Sequence, residues 1–230
     1  MRQPTIAETR VLIVDDHPFM RRGLAQTIND QPGLSVCGEA GSAAEALQLM
    51  QTCNPQLAVV DISLGAESGI ELITAIRERW PATRVLVSSM HDESLFAERA
   101  LRAGALGFVN KGEPPAVFVA ALRRVSSGQV YLSERMTNRM LDQARTDRAE
   151  PSRSPIESLS NRELEVFEMI GKGLATKQIA ARLGLSPKTI ETYREHIKQK
   201  LSLVNATELT RSAVQWVLEQ GRTPSSDSEA

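Results

Sequence analysis

Three aspartates in this chain have the residue type and spacing to act together on a phosphoryl group. Asp15 and Asp16 are adjacent and follow the apolar run "RVLIV", and Asp61 follows the run "QLAVV". Carboxylates that lie close together repel one another unless a cation lies between them. Hard oxygen ligands suit Mg²⁺, and a carboxylate beside Mg²⁺ can attack phosphorus to give an aspartyl phosphate. The aspartates therefore indicate a Mg²⁺-dependent phosphoryl site, provided that the fold brings them together.

Hydroxyl and ammonium groups end two further apolar runs. Ser88 and Ser89 end "TRVLVSS", and Lys111 follows "LGFVN". A lysine is a point charge suited to a phosphoryl oxygen, and a serine hydroxyl can donate a hydrogen bond to one. Each residue alone has an ordinary explanation, because Asp16 could cap a helix, Asp61 could form a turn and Lys111 could be a solvated loop residue. The interpretation therefore depends on their meeting at one edge of a sheet.

The first 127 residues have the alternating pattern that would build such an edge. Strands are predicted over "RVLIV", "LSVCGEA", "QLAVVDI", "TRVLVSS" and "LGFVN", and helices over Pro18–Asp30, Ser42–Cys53, Ser68–Trp80, Glu93–Ala103 and Pro114–Ser127. The third and fourth strands are nearly all apolar, as in a parallel sheet covered on both faces. The pattern predicts an α/β fold with a flavodoxin-like, doubly wound, five-stranded parallel sheet. In that order the first and third strands are neighbours, and their aspartates converge.

A smaller all-α domain is predicted after this sheet. Residues 131–145 indicate one amphipathic helix, and the polar, proline-bearing "TDRAEPSRSP" indicates a linker. Four further helices are predicted over Asn161–Gly171, Thr176–Leu183, Pro187–Leu201 and Ala206–Glu219. We therefore expect a first domain over 1–127, a connecting helix and linker over 128–158, a second domain over 159–220 and a disordered tail over 221–230.

The second domain contains a helix-turn-helix pattern. In "TKQIAARLGLSPKTIETYREHIKQKL" a short turn containing Gly184 divides two helices, which is typical of a unit that places its second helix in a DNA major groove. At 100° per residue an apolar stripe faces the core, formed by Ile190, Tyr193, Ile197 and Leu201. The outward side is formed by Lys188, Thr192, Glu195 and Gln199, flanked by Glu191 and Lys198. Ser160 and Glu163 have the spacing of a capping box at the start of the domain.

Composition limits the other functional classes. The chain has 230 residues and a net charge of -1, so no strong overall field marks a nucleic-acid or membrane binder. Cys37 and Cys53 are its two cysteines and favour reduced thiols in a cytoplasmic protein. His17 and His91 have no second ligand at a zinc-binding spacing. No apolar run approaches the roughly 20 residues that span a bilayer, so we expect no membrane partner.

The motifs of the first domain resemble the receiver domain of two-component response regulators. The similar stretches are "VDD", "DISLGAESGIEL", "VLVSSMHDE" and "GALGFVNK". The resemblance implies that Asp15 and Asp16 bind Mg²⁺, with Asp61 as phosphoacceptor. It further implies a metal-binding carbonyl on Ser63, a switch hydroxyl on Ser89, a phosphate-pairing ammonium on Lys111 and a switch aromatic, Phe108, that turns inward on phosphorylation. Gly65 and Gly112 depart from the family, whose members commonly have proline there.

The second domain resembles the C-terminal DNA-binding domain of the NarL/FixJ group within the LuxR-type regulators. "LSNRELEV", "GLATKQIAARLGLS", "KTIETY" and "IKQKL" carry this resemblance in order. The helix positions and the resemblance together indicate a set of DNA-contacting residues: Lys177, Lys188, Thr189, Glu191, Thr192, Arg194, Glu195, Lys198 and Gln199. Lys177 and Lys200 are expected to contact phosphates. The resemblance also implies dimer contacts through the fourth helix, around Ala206–Trp216.

Together these resemblances imply a transcription factor rather than an enzyme. A sensor histidine kinase would phosphorylate Asp61 in a Mg²⁺-dependent transfer, which would control dimerisation and the binding of double-stranded promoter DNA. RNA polymerase is a further candidate partner of the homodimer. Two alternatives stay open. The first is a phosphohydrolase with an aspartyl nucleophile, although residue 17, where such an enzyme would have a second aspartate, is histidine. The second is a receiver that takes no phosphate and binds DNA constitutively.

Overall fold

The protein divides into two compact units, residues 1–149 and 150–230. The structure, a computed structural model, describes residues 8–146 and 155–221. Most of the predicted linker and residues 222–230 of the predicted tail lie outside the described residues.

The first unit is built on a five-stranded parallel sheet. Its strands are β1 (Thr9–Val14), β2 (Leu34–Ala40), β3 (Leu57–Val60), β6 (Arg84–Ser89) and β7 (Gly107–Asn110). Their order is β2-β1-β3-β6-β7, which confirms the predicted fold. Two short strands that the sequence pattern did not predict, β4 (Ser63–Leu64) and β5 (Glu67–Ser68), form an antiparallel hairpin after β3.

Helices cover both faces of the sheet and begin and end close to the predicted residues. They are α1 (Pro18–Asn29), α2 (Ala43–Cys53), α3 (Gly69–Arg79), α4 (Glu93–Ala103) and α5 (Pro115–Ser126), followed by α6 (Glu134–Thr146). Pro114 was expected in the first turn of α5 but precedes it, with φ -55° and ψ 147°. The reason is that Pro115 follows, and a residue before proline is pushed out of the helical region.

Alternate residues of the strands build the core of the first unit. One cluster combines fully buried strand residues with side chains of α1 and α5: Val11, Ile13, Leu57, Val59, Leu86, Val109, Ile28, Phe118, Leu122 and Val125. Because side chains alternate across a strand, Leu12, Ala58 and Val60 face the opposite side, and they too are buried. Burial on both faces explains why β3 and residues 11–14 of β1 are apolar.

The described part of the second unit, residues 155–221, is helical. After a short 3₁₀ turn (Pro155–Ser158) come α7 (Asn161–Gly171), α8 (Thr176–Arg182), α9 (Pro187–Lys200) and α10 (Ala206–Gly221). The predicted capping box is present, since Ser160 Oγ accepts from Glu163 N and the Glu163 carboxylate accepts from Ser160 N. The rings of Phe167 and Trp216 pack α7 against α10, with centroids 5.3 Å apart.

None of the helices within residues 8–146 and 155–221 is long and apolar enough to cross a membrane. The longest, α10, has 16 residues. A bilayer-spanning helix needs about 20 apolar residues.

Candidate functional site

The carboxyl ends of β1 and β3 bring the predicted aspartates together. The two strands are neighbours, and Asp61 N donates to Val14 O at 2.9 Å. Asp15 and Asp61 are buried, with 1% and 5% of their surface exposed. Ligand atoms of Asp15, Asp16, His17 and Asp61 all lie within 4.8 Å of one another. His17 thus lies at the margin of this acidic pocket. The sequence pattern predicted no zinc site at this histidine.

Lys111 places its ammonium group between the two buried carboxylates. Its Nζ lies 2.5 Å from Asp15 Oδ2 and 2.5 Å from Asp61 Oδ2, and its side chain is only 3% exposed. The lysine follows β7, and its backbone N–H donates to Ser89 O at the end of β6. Burial alone would lower the pKa of Lys111, but the charge of Asp61 and the hydrogen bonds to both aspartates outweigh it and raise the pKa. The lysine is therefore charged and held in place.

Asp16 is bound by the loop after β3 and does not cap α1. The N-cap of α1 is His17, and it makes no side-chain cap. Asp16 Oδ2 instead accepts from Gly65 N at 2.9 Å, and its Oδ1 lies 2.7 Å from His17 Nδ1. Gly65 has φ +58°, in the left-handed region. Proline has no N–H and fixes φ near -65°, so Gly65 makes a contact that the family's common residue could not make.

The loops after β3 and β6 meet beside Asp61 through Ser63 and His91. Ser63 N donates to Asp61 Oδ1 at 3.4 Å, and Ser63 Oγ lies 2.8 Å from His91 Nε2. Ser89 Oγ accepts from His91 N at 3.4 Å, so this hydroxyl lies at the pocket end of β6. Asn110 Nδ2 donates to the carbonyl of His91. Sequence reasoning did not find the roles of His91 and Asn110, although an asparagine between a strand and Lys-Gly is a typical turn former.

The aromatic ring of Phe108 is already buried in this structure. Phe108 is 1% exposed, within β7. Its backbone N–H donates to Tyr131 O at 3.0 Å, in the segment after α5. The ring is thus buried in this structure, whereas the family resemblance implied that it turns inward on phosphorylation.

The predicted outward face of α9 is open to solvent. Ile190 and Ile197 are buried, and Tyr193 and Leu201 are half-buried, as the apolar stripe predicted. All nine residues that were predicted to contact DNA are exposed or half-buried: Lys177, Lys188, Thr189, Glu191, Thr192, Arg194, Glu195, Lys198 and Gln199. The surface of α9 therefore carries eight of these residues, and Lys177 lies at the start of α8.

Several of these side chains are tied within the second unit. Thr176 Oγ1 donates to Glu191 Oε1 at 2.7 Å and so links α8 to α9. Shorter-range pairs join Glu191 to Arg194 and Glu195 to Lys198, while the Thr192 hydroxyl donates to Lys188 O. Among the described residues, the side chains of Lys177, Lys188 and Gln199 have no hydrogen-bond or ion-pair partner. These three are the most available for an intermolecular contact.

Lys200 has a partner that the sequence pattern did not indicate. Its Nζ lies 2.6 Å from Glu163 Oε2 on α7, although phosphate contact was expected for it. Burial alone would raise the pKa of Glu163, but the hydrogen bonds from Lys200 and Ser160 outweigh it and lower the pKa. His196 Nδ1 lies 3.8 Å from Glu163 Oε1. The end of α9 is thereby anchored to the start of α7.

Comparison with known proteins assigns a family to each unit. Residues 11–123 match the family described as response regulator receiver domain. Residues 157–213 match the family described as bacterial regulatory proteins, luxR family.

Two relatives align along most of this chain, and one solved structure aligns with part of it. The transcriptional activator protein ExaE of Pseudomonas putida is 37% identical over 205 residues, covering 89% of this chain and 95% of that protein. The response regulator UvrY of Escherichia coli K12 is 34% identical over 217 residues, covering 94% of this chain and 98% of that protein. A solved LuxR-family two-component response regulator from Aurantimonas sp. SI85-9A1 is 35% identical, with a TM-score of 0.56 over 60% of this chain and 98% of its own.

Proposed function

Because this chain belongs to the LuxR-type response regulators of two-component systems, we propose that phosphoryl transfer to Asp61 controls promoter binding by α9. One observation carries the proposal: the buried Asp61 carboxylate lies 2.5 Å from the ammonium of Lys111, which also binds Asp15. This family regulates transcription through DNA binding and receives its signal from histidine kinases. Membership of this family supports the proposal over the phosphohydrolase alternative. The constitutive alternative is decided by a phosphorylation experiment.

The acidic pocket has the ligands that Mg²⁺ prefers. Carboxylate oxygens of three aspartates and a ring nitrogen of His17 lie within 4.8 Å of one another, and Lys111 forms ion pairs with two of these aspartates, Asp15 and Asp61. Asp15, Asp16, Asp61 and the Ser63 carbonyl would hold the ion. When bound, Mg²⁺ offsets negative charge on a phosphoryl group during transfer. A carboxylate cluster with one counterion therefore fits a divalent cation better than a monovalent one.

Asp61, Lys111 and Ser89 have separate roles in phosphoryl transfer. A carboxylate oxygen of Asp61 attacks phosphorus, so that a new O–P bond forms while the bond from phosphorus to the donor's leaving atom breaks. Lys111 stays protonated and pairs with a phosphoryl oxygen, and the Ser89 hydroxyl donates to another. Burial strengthens both interactions, because the local dielectric is low.

Output depends on the exposed face of α9. Lys188, Thr192, Glu195 and Gln199 are positioned to reach base edges in a major groove, where glutamate can accept from cytosine N4. Lys177 at the start of α8 is positioned for a phosphate contact, which supplies affinity on any sequence. A homodimer of the phosphorylated protein would present two such helices to two half-sites.

Intact mass measurement after incubation with acetyl phosphate and Mg²⁺ tests the input. The wild type should gain one phosphoryl group, and chelator should abolish the gain because the acidic pocket then has no divalent counterion. Asp61→Asn should gain none, whereas the exposed matched control Asp30→Asn should behave as wild type. A phosphoryl adduct on Asp61→Asn, or unimpaired transfer in chelator, would overturn the assignment of Asp61.

A further inference from the structure

The two cysteines of the chain, Cys37 and Cys53, meet at one edge of the parallel sheet. Cys37 belongs to β2, an edge strand, and Cys53 is the last residue of α2, which packs on that strand. Although the two residues are 16 positions apart in the chain, Cys53 Sγ donates to Cys37 O at 3.0 Å. Both are half-buried free thiols. A small solute can therefore reach a pair of thiols that the fold has brought together.

A β-bulge places the backbone of β2 against the sulfur of Cys53. The pairing of β2 with β1 passes from Val36 directly to Gly38, so Cys37 is the extra residue on the bulged strand. A Cβ atom added to Gly38 would lie 3.4 Å from Cys53 Sγ. Bulges bend a strand and change the direction of a side chain. The bulge thus takes Cys37 out of the regular ladder at the point where α2 ends.

Arg10 holds the end of α2 against the sheet. Its Nε donates to Cys53 O at 3.0 Å, and its Nη2 donates to Asn54 O at 2.8 Å. Asn54, the C-cap of the helix, has φ +43°, in the left-handed region in which helices commonly end. Cys53 is therefore placed by a fixed helix end and not by a flexible loop.

The two thiols are hydrogen-bonded to each other. Burial, the charge that Cys53 can carry and this hydrogen bond raise the pKa of Cys37 to about 11, although the charge of Arg10 acts in the opposite direction. Cys37 is therefore protonated near neutral pH. Once Cys53 is bonded to another sulfur it can carry no charge, and one cause of the raised pKa is removed. Cys37 is thus suited to the second step of a thiol–disulfide exchange, after Cys53 has reacted.

We propose that Cys37 and Cys53 are a redox modification site, at which a small-molecule disulfide such as oxidised glutathione converts the two thiols into a reversible disulfide bond. The Cys53 thiolate attacks one sulfur of the oxidant, whose S–S bond breaks and releases one thiolate. The Cys37 thiolate then attacks the sulfur of Cys53, so that the bond between the cysteines forms and the second small thiol leaves. The two protons of the cysteines end on the two released thiols. The protein is oxidised by two electrons, and the small disulfide is reduced by two.

The positions of the two cysteines favour closure. A disulfide needs sulfur atoms about 2.05 Å apart and Cα atoms about 4.4–6.8 Å apart. Cys53 Sγ already contacts the backbone of Cys37, and a bulge residue on an edge strand can shift without breaking a ladder pair. The acidic pocket contributes no residue to the reaction. The modification is therefore chemically separate from phosphoryl transfer to Asp61.

A matched pair of variants tests the placement of the thiols in the full-length protein. Cys53→Ser removes one thiol. Adding Thr52→Cys to this variant restores a thiol at an exposed position, one residue earlier and about 100° away around the same helix. The double variant keeps the number of thiols and nearly the same loop length, but it loses the placement.

Mass measurement in glutathione redox buffers follows closure. Each protein is equilibrated with mixtures of reduced and oxidised glutathione, quenched in acid, alkylated with N-ethylmaleimide and weighed. The wild-type monomer should lose two hydrogens and take no alkyl group, and dithiothreitol should reverse the loss. Cys53→Ser and the double variant should carry only alkyl or glutathione groups. The closed-to-open ratio of the wild type should be about 100-fold higher in the folded protein than in urea, because the fold has already brought the ends of the loop together.

Several results would overturn the inference. A wild type that keeps two alkylated thiols, or carries two glutathione groups, contains no pair that closes. An equal ratio in urea, equal closure in the double variant, or disulfides between chains alone would mean that the fold does not place the two thiols for reaction. Phosphoryl mass gain on Asp61 is measured separately, so each of these results leaves the proposed function intact.

Discussion

The acidic pocket and the outward face of α9 hold their charges in opposite environments. In the pocket Asp15, Asp61 and Lys111 are buried and lie 2.5 Å from their partners. On α9 Lys188 and Gln199 are exposed and have no partner among the described residues. A site that performs chemistry holds its groups in place before the reactant arrives. On α9, by contrast, Lys188 is free, and the paired carboxylates of Glu191 and Glu195 are more than half exposed.

The largest expected effect comes from removing the ammonium group of Lys111 from the acidic pocket. Lys111→Met leaves two buried carboxylates without their shared cation, and breaking a buried pair costs about 3–5 kcal/mol. Added Mg²⁺ should recover part of the loss. Urea unfolding, followed through Trp80 in a Trp216→Phe background, measures it. Lys188→Met, followed through Trp216 in a Trp80→Phe background, is the exposed control and should change the free energy of unfolding of the second unit by about 0.5 kcal/mol or less. Equal losses would mean that burial does not distinguish the two sites.

The second prediction links the two regions through a matched pair of hydroxyls. Ser88 and Ser89 are both buried and adjacent, but Ser89 Oγ lies at the pocket. Phosphorylation should tighten DNA binding by about 1–3 kcal/mol, and Ser89→Ala should reduce this gain while Ser88→Ala does not. Titrations at one salt concentration measure the gain. Equal affinities of the phosphorylated and unphosphorylated wild type would reject control of DNA binding and leave control of polymerase contact.

The third prediction sharpens the description of the DNA-binding surface. Glu195→Ala should change the preferred base at one position, with about 1–3 kcal/mol of discrimination. Lys177→Ala should weaken binding on all sequences and reduce the salt slope by about one unit. Selection from a random DNA pool, together with a salt titration, separates the two effects. An unchanged base preference in Glu195→Ala would remove that residue from the base-reading set.

The smallest expected effect concerns Lys200, which is neither buried like the groups of the acidic pocket nor unpaired like Lys188. Its ion pair with Glu163 is part-buried, so Lys200→Met should cost about 1 kcal/mol near neutral pH. Because the pKa of Glu163 is lowered below its ordinary value of 4.5, this stabilisation is fully present above pH 4.5 and is lost as pH falls through the folded pKa. Urea unfolding of the second unit, followed through Trp216 in a Trp80→Phe background, should show wild type and variant converging in acid. A difference that stays constant with pH would assign the cost to packing.

The fold was largely predictable because its signals are local and repeated. The nearly continuous apolar character of β3 and β6 indicated a sheet covered on both faces, and the placement of Asp15 and Asp61 after strands indicated a common edge. Ser160 and Glu163 marked the start of α7, since the two residues of a capping box are only three positions apart. Such patterns depend on the period of the apolar residues and on short spacings along the chain. A single sequence shows both.

Other features depend on residues that are far apart in the chain. Ser63 and His91 meet across 28 residues, and Lys200 and Glu163 across 37, without any periodic signal. The hairpin of β4 and β5 has two residues in each strand, too few to show alternation. The sequence pattern predicts Tyr131 as the first residue of a helix, but that helix begins at Glu134, and the backbone of Tyr131 instead bonds to the edge of β7.

Gly65 has a consequence for protein engineering. Replacement of residues by those most common among relatives is a widely used route to more stable proteins. At this position the route would introduce proline, which cannot adopt the φ of +58° and cannot donate to Asp16. Gly65→Pro would thus free one oxygen of the acidic pocket from its backbone donor while straining the loop beside Asp61. Family frequency at residue 65 is therefore a poor guide for stabilising this protein.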